Sequence, residues 1–287
     1  MTDMPASPLA AASLATLPAP LVLVGAGKMG GALLRGWLAG SPAGGLDPAA
    51  AVVIEPHPSP EIADLCAARG LRLNPDRPEP AGVLVLGFKP QGLDTAAPSL
   101  APWIGEGTLV VSILAGKTIS DLKRRLPGAR AVVRAMPNLP ASIGRGATGA
   151  VASPEVDAGQ RAAADALLAS AGLVAWLDDE RLIDALTAVS GSGPAYVFLL
   201  AEALAEAGIA AGLPPDLAQS LARATVAGAG ALLDADPRAA AQLRKDVTSP
   251  GGTTAAALAV LMRAGGLPDT LRDAVEAARV RAGELSG

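Results

Sequence analysis

The chain has 287 residues, 51% of them hydrophobic and 17% charged, with a net charge of −4 at pH 7. That length accommodates two domains with their own cores, and that balance excludes a disordered chain. The acidic balance, with no basic block, argues against nucleic acid as a partner, and the single cysteine, Cys66, fits a reducing cytoplasm.

Residues 1–20 are rich in Ala and Pro, and the first positive side chain is Lys28. They read as a disordered leader and lack the charged start of a signal peptide. Gly, Pro or Ser interrupts each apolar stretch before the roughly 20 residues of a membrane span, so no membrane partner is expected.

Residues 21–24 are an apolar run ending at glycine and predict a buried strand, with a helix over 28–38 after it. A second strand is expected over 51–55 and a second helix over 59–69. Strands over 82–87, 108–112 and 131–134 follow, the first of them stopped by Lys89-Pro90. Strands alternating with helices predict an α/β domain whose mostly parallel, Rossmann-type sheet is covered on both faces. Residues 147–152 and 173–177 extend its far edge, with a helix over 154–170 between them.

The pattern changes at Asp178-Asp179-Glu180, which divides a dinucleotide-binding domain (21–178) from an all-α domain (179–287). Helix breaks are expected at 212–215, 236–237, 249–250 and 265–266. Between Ala185 and Leu233 only Glu202, Glu206, Asp216 and Arg223 are charged. Helices apolar on all sides must be buried on all sides, and a thin helical domain cannot cover them alone. A partner subunit is expected, most simply in a two-fold homodimer.

Two Gly-rich helix starts carry the chemistry. Gly25-Ala26-Gly27-Lys28-Met29-Gly30 lies between a predicted strand and a predicted helix, the setting in which such glycines allow a tight turn and the approach of a pyrophosphate. Glu55 ends the second strand, 25 residues past Gly30, near the roughly 20 expected for an acidic ribose partner. Its carboxylate would accept the ribose hydroxyls of NADH and repel a 2′-phosphate. At about 5 Å and an effective dielectric near 20 that repulsion is roughly 3 kcal/mol before salt screening. NADH is therefore favoured over NADPH, with His57 and Ser59 close enough in sequence to soften the preference. The second start, Ser249-Pro250-Gly251-Gly252-Thr253-Thr254, has no lysine or arginine within the turn, so its free N–H groups favour a small carboxylate.

What is missing also constrains the reaction. The one histidine, His57, sits by this pattern at the ribose end of the nucleotide, and no Cys/His cluster has metal-ligand spacing. Reduction of a ketone usually needs a positioned acid, whereas an iminium already carries its proton. The composition therefore leans toward a C=N substrate.

These residues resemble the pyrroline-5-carboxylate reductases from residue 21 to about 284. The landmarks are the loop at 24–30, Lys89-Pro90-Gln91, residues 112–116, Arg134-Ala135-Met136-Pro137-Asn138, Ser190-Gly191-Ser192-Gly193-Pro194-Ala195-Tyr196, and residues 246–254. The resemblance implies hydride transfer from a nicotinamide to the C=N carbon of a cyclic imino acid, giving L-proline. It places cofactor contacts at Ala26, Gly27, Lys28, Met29, Glu55, Lys89, Pro90, Leu114 and Ala115. It assigns the substrate carboxylate to Ser249, Gly251, Gly252, Thr253 and Thr254, with the Thr254 hydroxyl near the imine nitrogen as the catalytic group. It also implies interlocked C-terminal helices in a dimer, with higher assembly left open.

Three departures stand out. Glu55 replaces a small polar residue, and Leu139 stands where many members have threonine. An asparagine usual just after the third strand's turn is not evident, and Arg77 lies near its place. Two rivals remain: a reductase of another small cyclic imine or of a β-hydroxy acid, and a non-catalytic NAD-sensing dimer. The sensor would need no second anion site.

Overall fold

The computed structural model describes residues 14–39 and 45–286. They fall into two compact units. One runs to Gly191 and takes back the residues from Val280, and the other is Ser192–Arg279. The turn at Asp178–Glu180 thus lies within the first unit.

That unit is built on eight strands: β1 (Leu21–Val24), β2 (Ala51–Ile54), β3 (Arg72–Leu73), β4 (Val83–Leu86), β5 (Leu109–Ser112), β6 (Ala131–Met136), β7 (Gly146–Ala152) and β8 (Gly172–Trp176). Their order is β3-β2-β1-β4-β5-β6-β7-β8. All neighbours are parallel except β6 and β7. The exception has a simple cause. A parallel return needs a crossover of a dozen or more residues, and only a short 3-10 turn, Leu139–Ile143, joins β6 to β7. Strand β3 is too short to leave a pattern in the sequence, which is why it was not expected.

Five helices cover the sheet: α1 (Lys28–Ala39), α2 (Pro60–Arg69), α3 (Leu93–Leu100), α4 (Ile119–Arg125) and α5 (Ala158–Ala169). Strand alternation sorts the core into two layers. Leu21 and Leu23 face the α1, α2 and α5 side with Leu33, Ile62 and Leu167. Val22 and Val24 face the α3 and α4 side with Leu93 and Leu122. Helix α5 starts four residues later than expected because Asp157 caps it, in a reciprocal box with Gln160.

The expected leader needs a correction at its end. Leu14 is buried in the core, and the Pro20 carbonyl accepts the Gly82 N–H at 3.0 Å, so residues 14–20 pack against the sheet. The rest of that leader lies outside the described residues.

Six further helices follow: α6 (Leu182–Leu186), α7 (Gly193–Ala210), α8 (Pro215–Ala235), α9 (Ala240–Asp246), α10 (Thr253–Leu261) and α11 (Leu267–Ser286). Three of the four expected breaks fall between helices, and the fourth, 212–215, runs into Pro215 at the first position of α8. Pro194 does not interrupt, because it sits at the first turn of α7, where no N–H is required. A π-helical turn, Thr187–Gly191, follows α6 directly, so Leu182–Ala210 is long and apolar enough to cross a membrane by length and composition. The sequence expectation is that Gly, Pro or Ser interrupts each apolar stretch, and residues 190–194 do interrupt this one.

Candidate functional site

Strand order reverses on either side of β1, with β2 on one flank and β4 on the other, and open α/β sheets bind ligands at the carboxyl ends beside such a point. The glycine loop lies there. Gly25 has a φ of +89°, and a Cβ on it would lie 2.6 Å from the Phe88 nitrogen. A Cβ on Gly30 would collide with the Gly25 carbonyl, so α1 can approach β1 only through glycine. Gly27 has open space beside it and is exposed, which leaves room for a ligand at the start of α1. Two glycines for close packing and one facing solvent at a helix N-terminus fit a dinucleotide's pyrophosphate. Lys28 is exposed and Met29 half-buried at the same helix start.

Glu55 is joined to this loop directly. Its carboxylate accepts the Ala26 N–H at 2.9 Å and the His57 N–H at 3.2 Å. A cleft of about 700 Å³ opens beside it, lined by Gly25, Glu55, Asn74, Phe88 and Trp103 among others. A second cleft, about 430 Å³, lies on the glycine-loop side with Lys28, Arg35, His57 and Ser59. Arg35 is already paired there with Glu61 at 3.0 Å.

The remaining cofactor candidates are spread along the same carboxyl edge. Lys89 and Pro90 form the start of a 3-10 turn, Pro90–Gly92, whose Gly92 reaches the larger cleft. Leu114 is buried in the core, so its side chain is committed to packing, whereas Ala115 is exposed. The segment is anchored by the Ile113 N–H on the Leu86 carbonyl at 3.0 Å.

Two motif residues prove to be structural ties. Arg134 is buried and pairs with Glu180 at 2.9 Å, and the same Glu180 oxygen accepts the Ile119 N–H at the start of α4. Asn138 donates to the Ser190 carbonyl at 3.0 Å and accepts the Ala147 N–H at 2.9 Å, joining the ends of three elements.

In the helical unit, Gly251 has a φ of +71°, and Gly252 caps α10 without a side-chain hydrogen bond. A Cβ on Gly252 would meet the Ser249 hydroxyl, so a side chain there would force Ser249 to turn away. Thr253 begins the helix exposed, and Thr254 is half-buried. The first amides of α10 therefore have neither an intrahelical acceptor nor a capping side chain. Asp246, upstream, accepts from Arg238 at 2.9 Å and Gln242 at 2.8 Å and serves to brace α9.

Sequence reasoning missed Asn74. It directly follows β3 and bonds to the Glu55 backbone. The Asn74-Pro75 pair was the available signal, a dipeptide that marks turns.

Residues 180–285 match the family model for pyrroline-5-carboxylate reductase dimerisation. Residues 20–116 match that for coenzyme F420-dependent NADP oxidoreductase. The pyrroline-5-carboxylate reductase of Pseudomonas aeruginosa is 39% identical over 270 residues, covering 93% of this chain and 96% of that protein. The pea (Pisum sativum) enzyme of the same name is also 39% identical, over 271 residues, with coverage of 93% and 96%. Among solved structures, a pyrroline-5-carboxylate reductase from Coxiella burnetii superposes with a TM-score of 0.86 at 36% identity, covering 94% of this chain and 99% of that one. Pyrroline carboxylate reductase from Plasmodium falciparum, solved with NADP bound, has a TM-score of 0.76 at 25% identity, with coverage of 94% and 98%.

Proposed function

The chain belongs to the pyrroline-5-carboxylate reductase family, and from that premise we propose how its residues divide the work. The reaction is NAD(P)H-dependent reduction of the C=N bond of 1-pyrroline-5-carboxylate to L-proline, in proline biosynthesis. The bound nicotinamide nucleotide supplies the hydride.

Gly25, Ala26, Gly27, Lys28, Met29 and Gly30 receive the pyrophosphate at the start of α1. The open space beside Gly27 supports this. Glu55 accepts ribose hydroxyls, and Lys89, Pro90, Leu114 and Ala115 line the nucleotide's path, Leu114 through its backbone. NADH is preferred over NADPH because the Glu55 carboxylate is fixed at the glycine loop, where a 2′-phosphate would meet its charge. The Plasmodium relative was solved with NADP, so the preference is assigned to this chain's Glu55 and not to the family.

The turn Ser249, Gly251, Gly252, Thr253 and Thr254 holds the substrate carboxylate. Its uncapped amides at the head of α10 carry this assignment. Hydrogen bonds to such a charged group are worth about 1.5–3 kcal/mol each. The Thr254 hydroxyl orients the imine nitrogen, and rate comes chiefly from placing the reacting atoms.

We place the helical unit in a cytoplasmic homodimer. Its exposed apolar face and its match to the dimerisation family favour a second chain over a bilayer as the cover for α7.

Adding 1-pyrroline-5-carboxylate to the protein and NADH should consume NADH, and a hydroxy acid should not. Thr254→Val should lower kcat/KM while NADH binding survives. Unchanged turnover would remove Thr254 from the mechanism. Binding of NADH without oxidation by any imine would instead favour a sensor.

A further inference from the structure

The ladder between β2 and β3 ends where the Asn74 N–H donates to the Val53 carbonyl at 2.8 Å. The next residue, Pro75, has no N–H to continue it. The chain turns away at Asn74 with a φ of +47°, the one non-glycine residue with positive φ among those described. Asparagine tolerates this left-handed conformation better than most residues.

Its side chain then replaces the missing peptide unit. The Glu55 N–H donates to Asn74 Oδ1 at 2.8 Å, and Asn74 Nδ2 donates to the Glu55 carbonyl at 2.8 Å. A carboxamide is needed for this pair, since it offers one acceptor and one donor side by side. On the opposite flank the Ile54 carbonyl accepts the Gly25 N–H at 2.8 Å. The end of β2 is therefore held from both sides, and the Glu55 carboxylate is delivered to the Ala26 and His57 N–H groups.

We propose that Asn74 is a positioning residue for nucleotide choice: by fixing the Glu55 peptide it keeps the carboxylate at the glycine loop, where it discriminates against a 2′-phosphate. The proposal rests on the assignment of Glu55 given above. Asn74 is exposed, so its bonds compete with water and the effect is moderate.

The test measures calorimetric Kd values of NADH and NADPH for the full chain, alongside melting midpoints. The variants are Asn74→Gly, Asn74→Ser, Glu55→Gln and the double variant Asn74→Gly/Glu55→Gln. Glycine keeps the left-handed turn, and serine is a second small replacement if glycine unfolds the edge. The ratio of the NADPH Kd to the NADH Kd should fall about fivefold in either Asn74 variant and further in Glu55→Gln, and the double variant should match Glu55→Gln alone. An unchanged ratio in both Asn74 variants overturns the proposal. A further drop in the double variant also overturns it, because Asn74 would then act on the nucleotide directly. If Glu55→Gln leaves the ratio unchanged, the Glu55 assignment itself fails.

Discussion

In the sheet unit, Val83, Leu84, Val85 and Leu86 of β4 are each at most 1% exposed. In α7, Val197, Phe198, Leu199 and Leu200 are 45% to 63% exposed. The buried residues of α7 and α8 are only alanines: Ala205, Ala218 and Ala222. Burying a Leu or Phe side chain is worth about 1.5–3 kcal/mol, so the sheet unit collects that term within one chain while the helical unit leaves much of it uncollected. The contrast separates a unit that covers its own large apolar side chains from one that leaves many of them on its surface.

Cutting the interface should produce the largest effect. Phe198→Asp combined with Leu199→Asp should give a monomer in sedimentation and reduce turnover by about 100-fold or more, since buried charge without a partner forbids association. NADH affinity, which the proposed function assigns to the sheet unit, should stay within about threefold. A monomer with full turnover would dissolve the comparison.

Next comes the sheet unit's own core. Trp37 is 1% exposed, and its indole N–H donates to the Leu167 carbonyl at 2.9 Å. Trp37→Ala should lower unfolding free energy in denaturant by about 3–5 kcal/mol, equally at all protein concentrations. Dilution alone should have the smaller, complementary effect. Each tenfold dilution of the unaltered protein should remove about 1.4 kcal/mol from the dimer, lowering the melting midpoint. A midpoint independent of concentration would mean that α7 is covered by something other than a second copy.

The smallest effect belongs to exposed ion pairs, which both units carry. Lys123, and then Ser153, hold the Glu155 carboxyl at about 2, below its ordinary 4.5. A depressed carboxylate contributes stability that is complete above about pH 4.5 and is lost as pH falls toward 2. The melting difference between the unaltered protein and Glu155→Gln should therefore be small at pH 7 and vanish by about pH 2. Asp236 beside Arg238 is depressed in the same way in the helical unit, so this loss should not tell the units apart.

The chain order of strands and helices was legible because each element carries its own local signal. The run 21–24 ending at Gly25 became β1 without change, and the glycine and proline breaks after residue 210 separate α7 to α11 as read. The π turn before α7 was not legible, since Gly191 and Pro194 look like breakers whether or not a helix continues past them. Of the candidate site, the glycine loop and Glu55 were readable from spacing, and the structure ties them with one hydrogen bond. Leu114 was read as a cofactor contact from its position in a motif, yet burial commits its side chain to the core.

By itself the sequence determined the strand-loop-helix that would take a pyrophosphate, the acidic residue after it, and the glycine turn at the head of α10. Each depends on residues close along the chain, where propensity and capping act. Only the tertiary structure decided that β7 runs against β6, that residues 14–20 pack on the sheet, and that Asn74 holds Glu55 from 19 positions away. Those outcomes depend on which distant backbone groups are left needing a partner, and no local pattern records that until the chain has folded.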